Sequence, residues 1–200
     1  MSRANQLLLA TANLHKQKEL QVMLAGSGWN IYTLRDYPHI ELPPETGMTF
    51  EANARIKALA AAKASGLLSL ADDSGLTVDA LDGAPGIYSA RFAGEEKNDS
   101  SNNAKLLELL TETPPGKRQA AFVCAIVIAD PQGQTWAVQA FCQGEIALTP
   151  SGKNGFGYDP LFYLPQFDCT MAQLSDEEKN KISHRGQALT KALSLLEQIS

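Results

Sequence analysis

The chain has 200 residues, enough for one domain or for one compact fold with two lobes. With 44% hydrophobic and 20% charged residues it can bury a core, which argues against wholesale disorder. Its net charge of -5 argues against a non-specific nucleic-acid binder, which needs a basic face, but leaves room for a small anion held by local cations.

In chain order, Gln6 to Ala10 reads as a buried strand and Thr11 to His15 as a polar loop. Lys16 to Ala25 is predicted helical, with Leu20, Met23 and Leu24 on one face, and Trp29 to Leu34 is predicted to be a second strand. Residues 35 to 48 hold three prolines and a glycine and form a loop. Thr49 can cap an Ala-rich helix that runs to Ser65 and stops at Gly66. The strand Leu67 to Ala71 then meets Asp72-Asp73-Ser74-Gly75, two adjacent acids where a buried strand is expected to end. Asn102 to Leu110 reads as a helix, and Gln119 to Ala129 with Gln134 to Ile146 as a hairpin around Asp130-Pro131-Gln132-Gly133. A Gly-rich loop covers Ser151 to Tyr158, and a short strand covers Leu161 to Leu164. Ser175-Asp176-Glu177-Glu178 has the capping-box pattern, and Ser183 can cap a last helix with Leu189, Ala192, Leu195 and Leu196 inward. Strands alternating with helices before a late hairpin suggest an α/β fold with a mixed central sheet flanked by helices. Two lobes with a central active-site cleft are the expected form of residues 1–200, read as one domain.

No apolar stretch is long enough to span a bilayer, and Met1-Ser2-Arg3-Ala4-Asn5 opens into a strand without a signal-like apolar region. Cys124, Cys142 and Cys169 are odd in number and widely spaced, matching neither a disulfide framework nor a zinc site. A reduced, cytoplasmic setting with no membrane partner is therefore the expectation. The sequon Asn98-Asp99-Ser100 reads as a chance match.

Several loops carry more chemistry than folding requires. Thr11, Asn13 and Lys16 stand at a helix N-terminus, where backbone donors and the helix dipole suit phosphate; a plain turn capped by Asn13 is the bland alternative. Neither a Walker loop nor a dinucleotide glycine fingerprint is present. Glu45 and one of the two Asp residues could supply the carboxylate pair that Mg²⁺ accepts beside substrate phosphates, although Glu45 is as readily a solvated loop residue. Adjacent strand residues face opposite sides, so one Asp can serve a site while the other faces structure or solvent. In Lys153-Asn154-Gly155-Phe156-Gly157-Tyr158-Asp159-Pro160 two rings alternate with glycine, which suits a flat base, and Asp159 can accept a hydrogen bond from it. Lys179, His184 and Arg185 gather before the last helix, where cations in a first turn oppose the dipole.

Together these segments closely resemble the inosine triphosphate pyrophosphatase family of house-cleaning nucleotidases, also called Ham1-like or RdgB-like, over Gln6 to Leu195. The matching strings are Leu9-Ala10-Thr11-x-Asn13-x-x-Lys16, Glu45-Thr46-Gly47-x-Thr49-Phe50, Asn53-Ala54-x-x-Lys57-Ala58 and Ala71-Asp72-Asp73-Ser74-Gly75-Leu76. They continue with Gly83-Ala84-Pro85-Gly86-Ile87-Tyr88-Ser89-Ala90-Arg91, Gly155-Phe156-Gly157-Tyr158-Asp159-Pro160 and Ser183-His184-Arg185-Gly186. The resemblance implies Mg²⁺-dependent conversion of ITP, dITP and XTP to the monophosphate and pyrophosphate, by a homodimer with a two-lobed mixed α/β fold. It implies that Asp73 is the proton acceptor and a metal ligand, with Glu45 as a further ligand. Thr11, Asn13, Lys16 and Ser74 fall on the triphosphate. Phe156, Gly157, Tyr158, Asp159, Lys179, His184 and Arg185 fall on the nucleoside end, and His184 or Arg185 can donate to the 6-oxo group. Asp72 is left with no assigned role. In the first loop many members have Gly where this chain has Ala12, and in the next helix Ala52 stands where members often have Glu. A Maf-like pyrophosphatase and a non-catalytic nucleotide-binding regulator are the alternative readings.

Overall fold

The computed structural model describes residues 5–199. Its elements are β1 (Gln6–Leu9), α1 (Leu14–Leu24), β2 (Asn30–Thr33), α2 (Phe50–Ser65), β3 (Leu68–Val78), α3 (Asp99–Leu109), β4 (Gln119–Ala129) and β5 (Thr135–Ile146). β6 (Phe162–Leu164), β7 (Cys169–Thr170), α4 (Asp176–Ile182) and α5 (His184–Ile199) complete the chain. The seven strands form one sheet in the order β2-β1-β3-β4-β5-β6-β7. β1 is parallel to β2 and to β3, as helical crossovers require, while β6 is antiparallel to β5 and β7. The sheet is therefore mixed, and the fold is α/β as the alternating pattern predicts.

The chain divides into two compact units. The first holds residues 5–73, Cys124–Ala140 and residues 185–199; the second holds Ser74–Val123 and Phe141–His184. In the first unit the run Leu7 to Ala10 is buried on both faces of its strand. Leu7, Leu9 and Leu70 pack with Leu20 and Leu24 of α1 and Leu189 and Leu196 of α5. Leu8, Ala10 and Ala71 pack on the opposite side with Ala54, Ala58, Ala61 and Ala62 of α2. The small side chains of α2 let its backbone lie close to the sheet. Thr49 caps that helix by accepting from Ala52 N, and Gly66 ends it in the left-handed region at φ 71°. The second unit has its own core, in which Leu76, Leu106, Phe122, Tyr158, Phe162 and Met171 are buried together.

Two expectations are corrected. Helix α1 starts at Leu14, not Lys16, because Asn13 caps it with a side chain that accepts from His15 N and Lys16 N. More consequentially, β3 does not end at Ala71 but continues to Val78, so Asp72 and Asp73 lie inside a strand. Asn98 caps α3, which gives the residue of the chance sequon a structural use. Among the described residues no helix is long and apolar enough to cross a membrane, and the three cysteines are free.

Candidate active site

The alternation of β3 decides what each acid meets. Leu70 faces α1 and α5, so Asp72, two residues on, faces them too. Ala71 faces α2, and so does Asp73. Asp72 is fully buried, and its Oδ2 lies 2.9 Å from Lys16 Nζ of α1 and 3.4 Å from Arg185 Nε of α5. Arg185 is itself buried and donates through Nη1 to Glu19 at 2.6 Å. Burial alone would raise the Asp72 carboxyl, but Lys16, Arg185 and Lys57 hold it well below the ordinary carboxylate range. Burial likewise disfavours the Arg185 cation, and Asp72 and Glu19 outweigh it, raising its pKa. Asp72 is thus a permanent counter-ion that fixes a lysine and an arginine.

Asp73 is treated differently. Its Oδ2 accepts from Asn53 Nδ2 at 3.1 Å, and Lys57 Nζ lies 3.8 Å from its Oδ1. Asn53 and Lys57 are four residues apart on α2, so they share the face that meets the strand. The Asn53 carbonyl also accepts from Gly47 N at 2.7 Å, which ties the loop carrying Glu45 to the same helix. That closeness leaves no room for a side chain at residue 47, where a Cβ would stand 2.7 Å from the Ala52 Cβ. Lys57 Nζ reaches Glu45 at 2.5 Å and the Asp72 carbonyl at 2.8 Å. Burial pushes the Asp73 carboxyl above its ordinary value; Lys57 and Lys16 pull it back and Glu45 adds to the rise, leaving it raised. For Lys57 burial works against the charge, and Asp72, Asp73 and Glu45 prevail to raise it. The neighbouring carboxyls are therefore shifted in opposite directions, Asp72 down by its cations and Asp73 up by burial.

The first unit fits a hard divalent cation in its donor chemistry. Glu45 and Asp73 converge on one ammonium group, that of Lys57, so the two carboxylates can share a cation. Lys16, Lys57 and Arg185 are shared among Glu19, Glu45, Asp72 and Asp73. Among the described residues no cluster of three His, Cys, Asp or Glu could hold a metal. Two carboxylates are what Mg²⁺ takes when substrate phosphates and water complete its octahedron.

The first loop behaves partly as expected. Thr11 is buried, with Oγ1 accepting from Asn13 N at 3.2 Å. Asn13 Oδ1 takes the His15 and Lys16 amides, so these two donors are not presented to an anion. The Lys16 ammonium is the charge this loop contributes. Ala12 is not in the left-handed region, so the loop forms with an alanine at this position.

In the second unit the Gly-rich loop is held by its own acid. Asp159 Oδ2 accepts from Phe156 N at 2.9 Å and from Lys179 Nζ at 2.7 Å, with both charged side chains buried. Lys179 also lies 4.8 Å over the Phe156 ring. Gly155, at φ +74°, has no room for a side chain, because a Cβ there would run into the Asp159 carboxylate. Tyr158 is buried, and its hydroxyl donates to Ser89 O at 2.8 Å. His184 is buried and stacks on Phe122 with centroids 4.7 Å apart and planes at 17°. Ser74 follows Asp73 on β3 as the first residue of this unit.

The geometry thus joins Asp73 and Glu45 through Lys57 and pairs Lys16 with Asp72 in the first unit, and brings Phe156, Asp159 and Lys179 together in the second. Arg185, expected on the base, pairs with Asp72 and Glu19 in the first unit. Asn53, Lys57 and Glu19 were given no role from sequence. The available signal was Asn53 and Lys57 at i, i+4 among alanines on the buried face of α2.

A family model described as "Ham1 family" matches residues 7–195. A dITP/XTP pyrophosphatase from Desulforamulus reducens is 51% identical over 193 residues, 96% of each chain. One from Geobacillus kaustophilus is 48% identical over 97% of this chain and 95% of its own. A solved HAM1 protein from Coxiella burnetii matches with TM-score 0.89 at 41% identity, over 97% of this chain and 99% of that one. The Staphylococcus aureus Ham1 protein matches with TM-score 0.87 at 44% identity, over 98% and 100%.

Proposed function

The chain belongs to the Ham1 family, and from that premise we propose how its residues act. It is a hydrolase of nucleoside triphosphates, converting non-standard purine nucleotides such as dITP and XTP to the monophosphate and pyrophosphate, as its relatives' names state. ITP is assigned to the same substrate set. The observation that carries the mechanism is the split between Asp72 and Asp73. A carboxylate with a raised proton affinity, fixed by Asn53 and flanked by Lys57, is a suitable general base. Asp73 accepts a proton from water, the water oxygen bonds to the α-phosphorus, the α–β anhydride bond breaks, and pyrophosphate leaves.

Lys16 binds and neutralises phosphate oxygens, with Thr11, Asn13 and Ser74 shaping the loop and strand beside it. Asp72 holds Lys16 in place. Mg²⁺ held by Glu45 and Asp73 would supply charge neutralisation and orientation of the phosphates. In the second unit Phe156, Gly157, Tyr158, Asp159 and Lys179 hold the nucleoside end. His184 or Arg185 is the donor to the 6-oxo group. A donor there rejects adenine, whose amino group would oppose it. We further infer that the two units work as one domain, in a cytoplasmic homodimer without nucleic-acid or membrane partners.

The test is a pyrophosphate-release screen over ITP, dITP, XTP and the common triphosphates, with and without Mg²⁺. The 6-oxo purines other than guanine should turn over fastest, and Asp73→Asn should remove turnover while leaving a folded protein. Preference for pyrimidine triphosphates would support the Maf-like alternative, and turnover of none the non-catalytic one.

A further inference from the structure

Outside the groups already given roles, two side chains on α3 converge on one residue of the Gly-rich loop. Asp99 Oδ2 accepts from Gly157 N at 2.7 Å, and Asn103 Nδ2 donates to Gly157 O at 3.0 Å. The two side chains are four residues apart, on one face of the helix. They therefore take both backbone polar groups of the glycine that lies between the two rings. Gly157 is at φ +63°, a conformation that the loop alone does not enforce on a flexible residue. The far side of the loop is fixed by the Asp159 contacts to Phe156 N and Lys179. Asn103 also keeps its side-chain oxygen buried without a hydrogen-bond partner. That arrangement is unfavourable for packing alone and is offset here by the bond to the loop.

We propose that Asp99 and Asn103 are positioning residues for base recognition: they latch Gly157 and so set the spacing and orientation of Phe156 and Tyr158. The inference rests on the reading that this loop holds the purine. Neither residue touches substrate. Their removal therefore weakens binding of the base and leaves the chemistry at Asp73 unchanged.

Asp99→Ala and Asn103→Ala should each raise KM for dITP about 3- to 10-fold, the worth of one hydrogen bond, with kcat held within about twofold. Asp99→Asn keeps an acceptor for Gly157 N while losing the charge at the start of α3, so it should restore the parent KM. A purely structural role through the helix dipole predicts the reverse, with Asp99→Asn as impaired as Asp99→Ala. Amide exchange at Gly157 should accelerate in Asp99→Ala and stay slow in Asp99→Asn. Parent-like KM and slow Gly157 exchange in both alanine variants would overturn the latch, as would an Asp99→Asn variant as defective as Asp99→Ala. If one alanine variant does not fold, the other and Asp99→Asn still decide the matter. Parent protein that hydrolyses no purine triphosphate would instead overturn the assigned reaction, while the exchange measurement would still report on the latch.

Discussion

Replacing each acid of the β3 pair by its amide should move stability in opposite directions. Asp72→Asn leaves the charge of Lys16 and Arg185 facing a neutral group in a site where Asp72 is fully buried and Arg185 nearly so. Breaking a buried pair by removing one partner costs about 3–5 kcal/mol. The low end applies here, because Arg185 retains Glu19 and the Lys16 side chain is 13% exposed. About 3 kcal/mol in a chain of this size lowers Tm by about 6–12 °C. Asp73→Asn, in contrast, removes a carboxylate that burial disfavours and keeps an acceptor for Asn53 Nδ2. Lys57 retains Glu45 and the Asp72 carbonyl. Its Tm should equal or exceed the parent's, although turnover is lost.

The pH dependence separates the two effects. Asp72 has a lowered folded pKa, so its stabilisation is present above the unfolded value of about 3.9 and is lost only as pH falls through the folded value below that. The Asp72→Asn penalty should therefore be constant from about pH 8 to about pH 5. Asp73 has a raised folded pKa, so its cost is absent below the unfolded value and complete above the folded one. The advantage of Asp73→Asn should be greatest at neutral pH and fade near pH 4. Thermal melts followed by circular dichroism across that range provide the assay. Equal Tm changes in the two variants, or an Asp72→Asn variant within about 2 °C of the parent, would refute the division of roles.

Gly155→Ala meets both a left-handed backbone at φ +74° and the Asp159 carboxylate. The backbone alone costs about 1–2 kcal/mol, so melting should fall by at least about 2–8 °C and KM for dITP should rise as the Asp159–Lys179 pair is displaced. Lys57→Gln removes a cation that holds Asp73 down, so the acidic limb of the kcat/KM profile should shift to higher pH. In the parent that limb should already lie above the ordinary carboxylate value, since Asp73 must be ionised to act. Chelation should abolish pyrophosphate release, and Mg²⁺ should restore it and raise Tm by relieving the repulsion between Glu45 and Asp73.

Most elements were legible because their signals are local. Thr49 and Gly66 bound α2, and Ser175 with Glu178 forms the expected capping box of α4. The length of β3 was not legible, for a physical reason. Two acids inside a buried strand are tolerable only if cations arrive to meet them. Those cations come from Lys16, 56 positions earlier, and from Arg185, 113 positions later. Arg185 announced itself only as a charge at the wrong end of a helix, and its partners Glu19 and Asp72 explain it. Lys57 stood in a matching string with no role given, and its burial depends on the strand that α2 covers. The acidic loop anchor Asp159 was visible as a candidate, whereas Asp99 lay before the predicted helix, in the sequon set aside as a chance match, and Asn103 was an ordinary residue of that helix's first turn.

The charge arrangement of the first unit bears on why such a reaction needs a cation at all. On the proposed reading a triphosphate would bring several negative charges to Lys16, Lys57 and Arg185, which already face Glu19, Glu45, Asp72 and Asp73. Two of the three cations are already spent on fixed partners: Arg185 on Asp72 and Glu19, and Lys57 on Glu45. Lys16 alone cannot offset the substrate, because Asp72 lies 2.9 Å away. On that reading a divalent ion held by Glu45 and Asp73 would supply further positive charge and replace Lys57 as the cation the two carboxylates share. The buried pair built on Asp72 then contributes rigidity, not attraction. On the proposed reading it would hold Lys16 in place while the charge at Asp73 changes during turnover, without moving the strand that carries both acids.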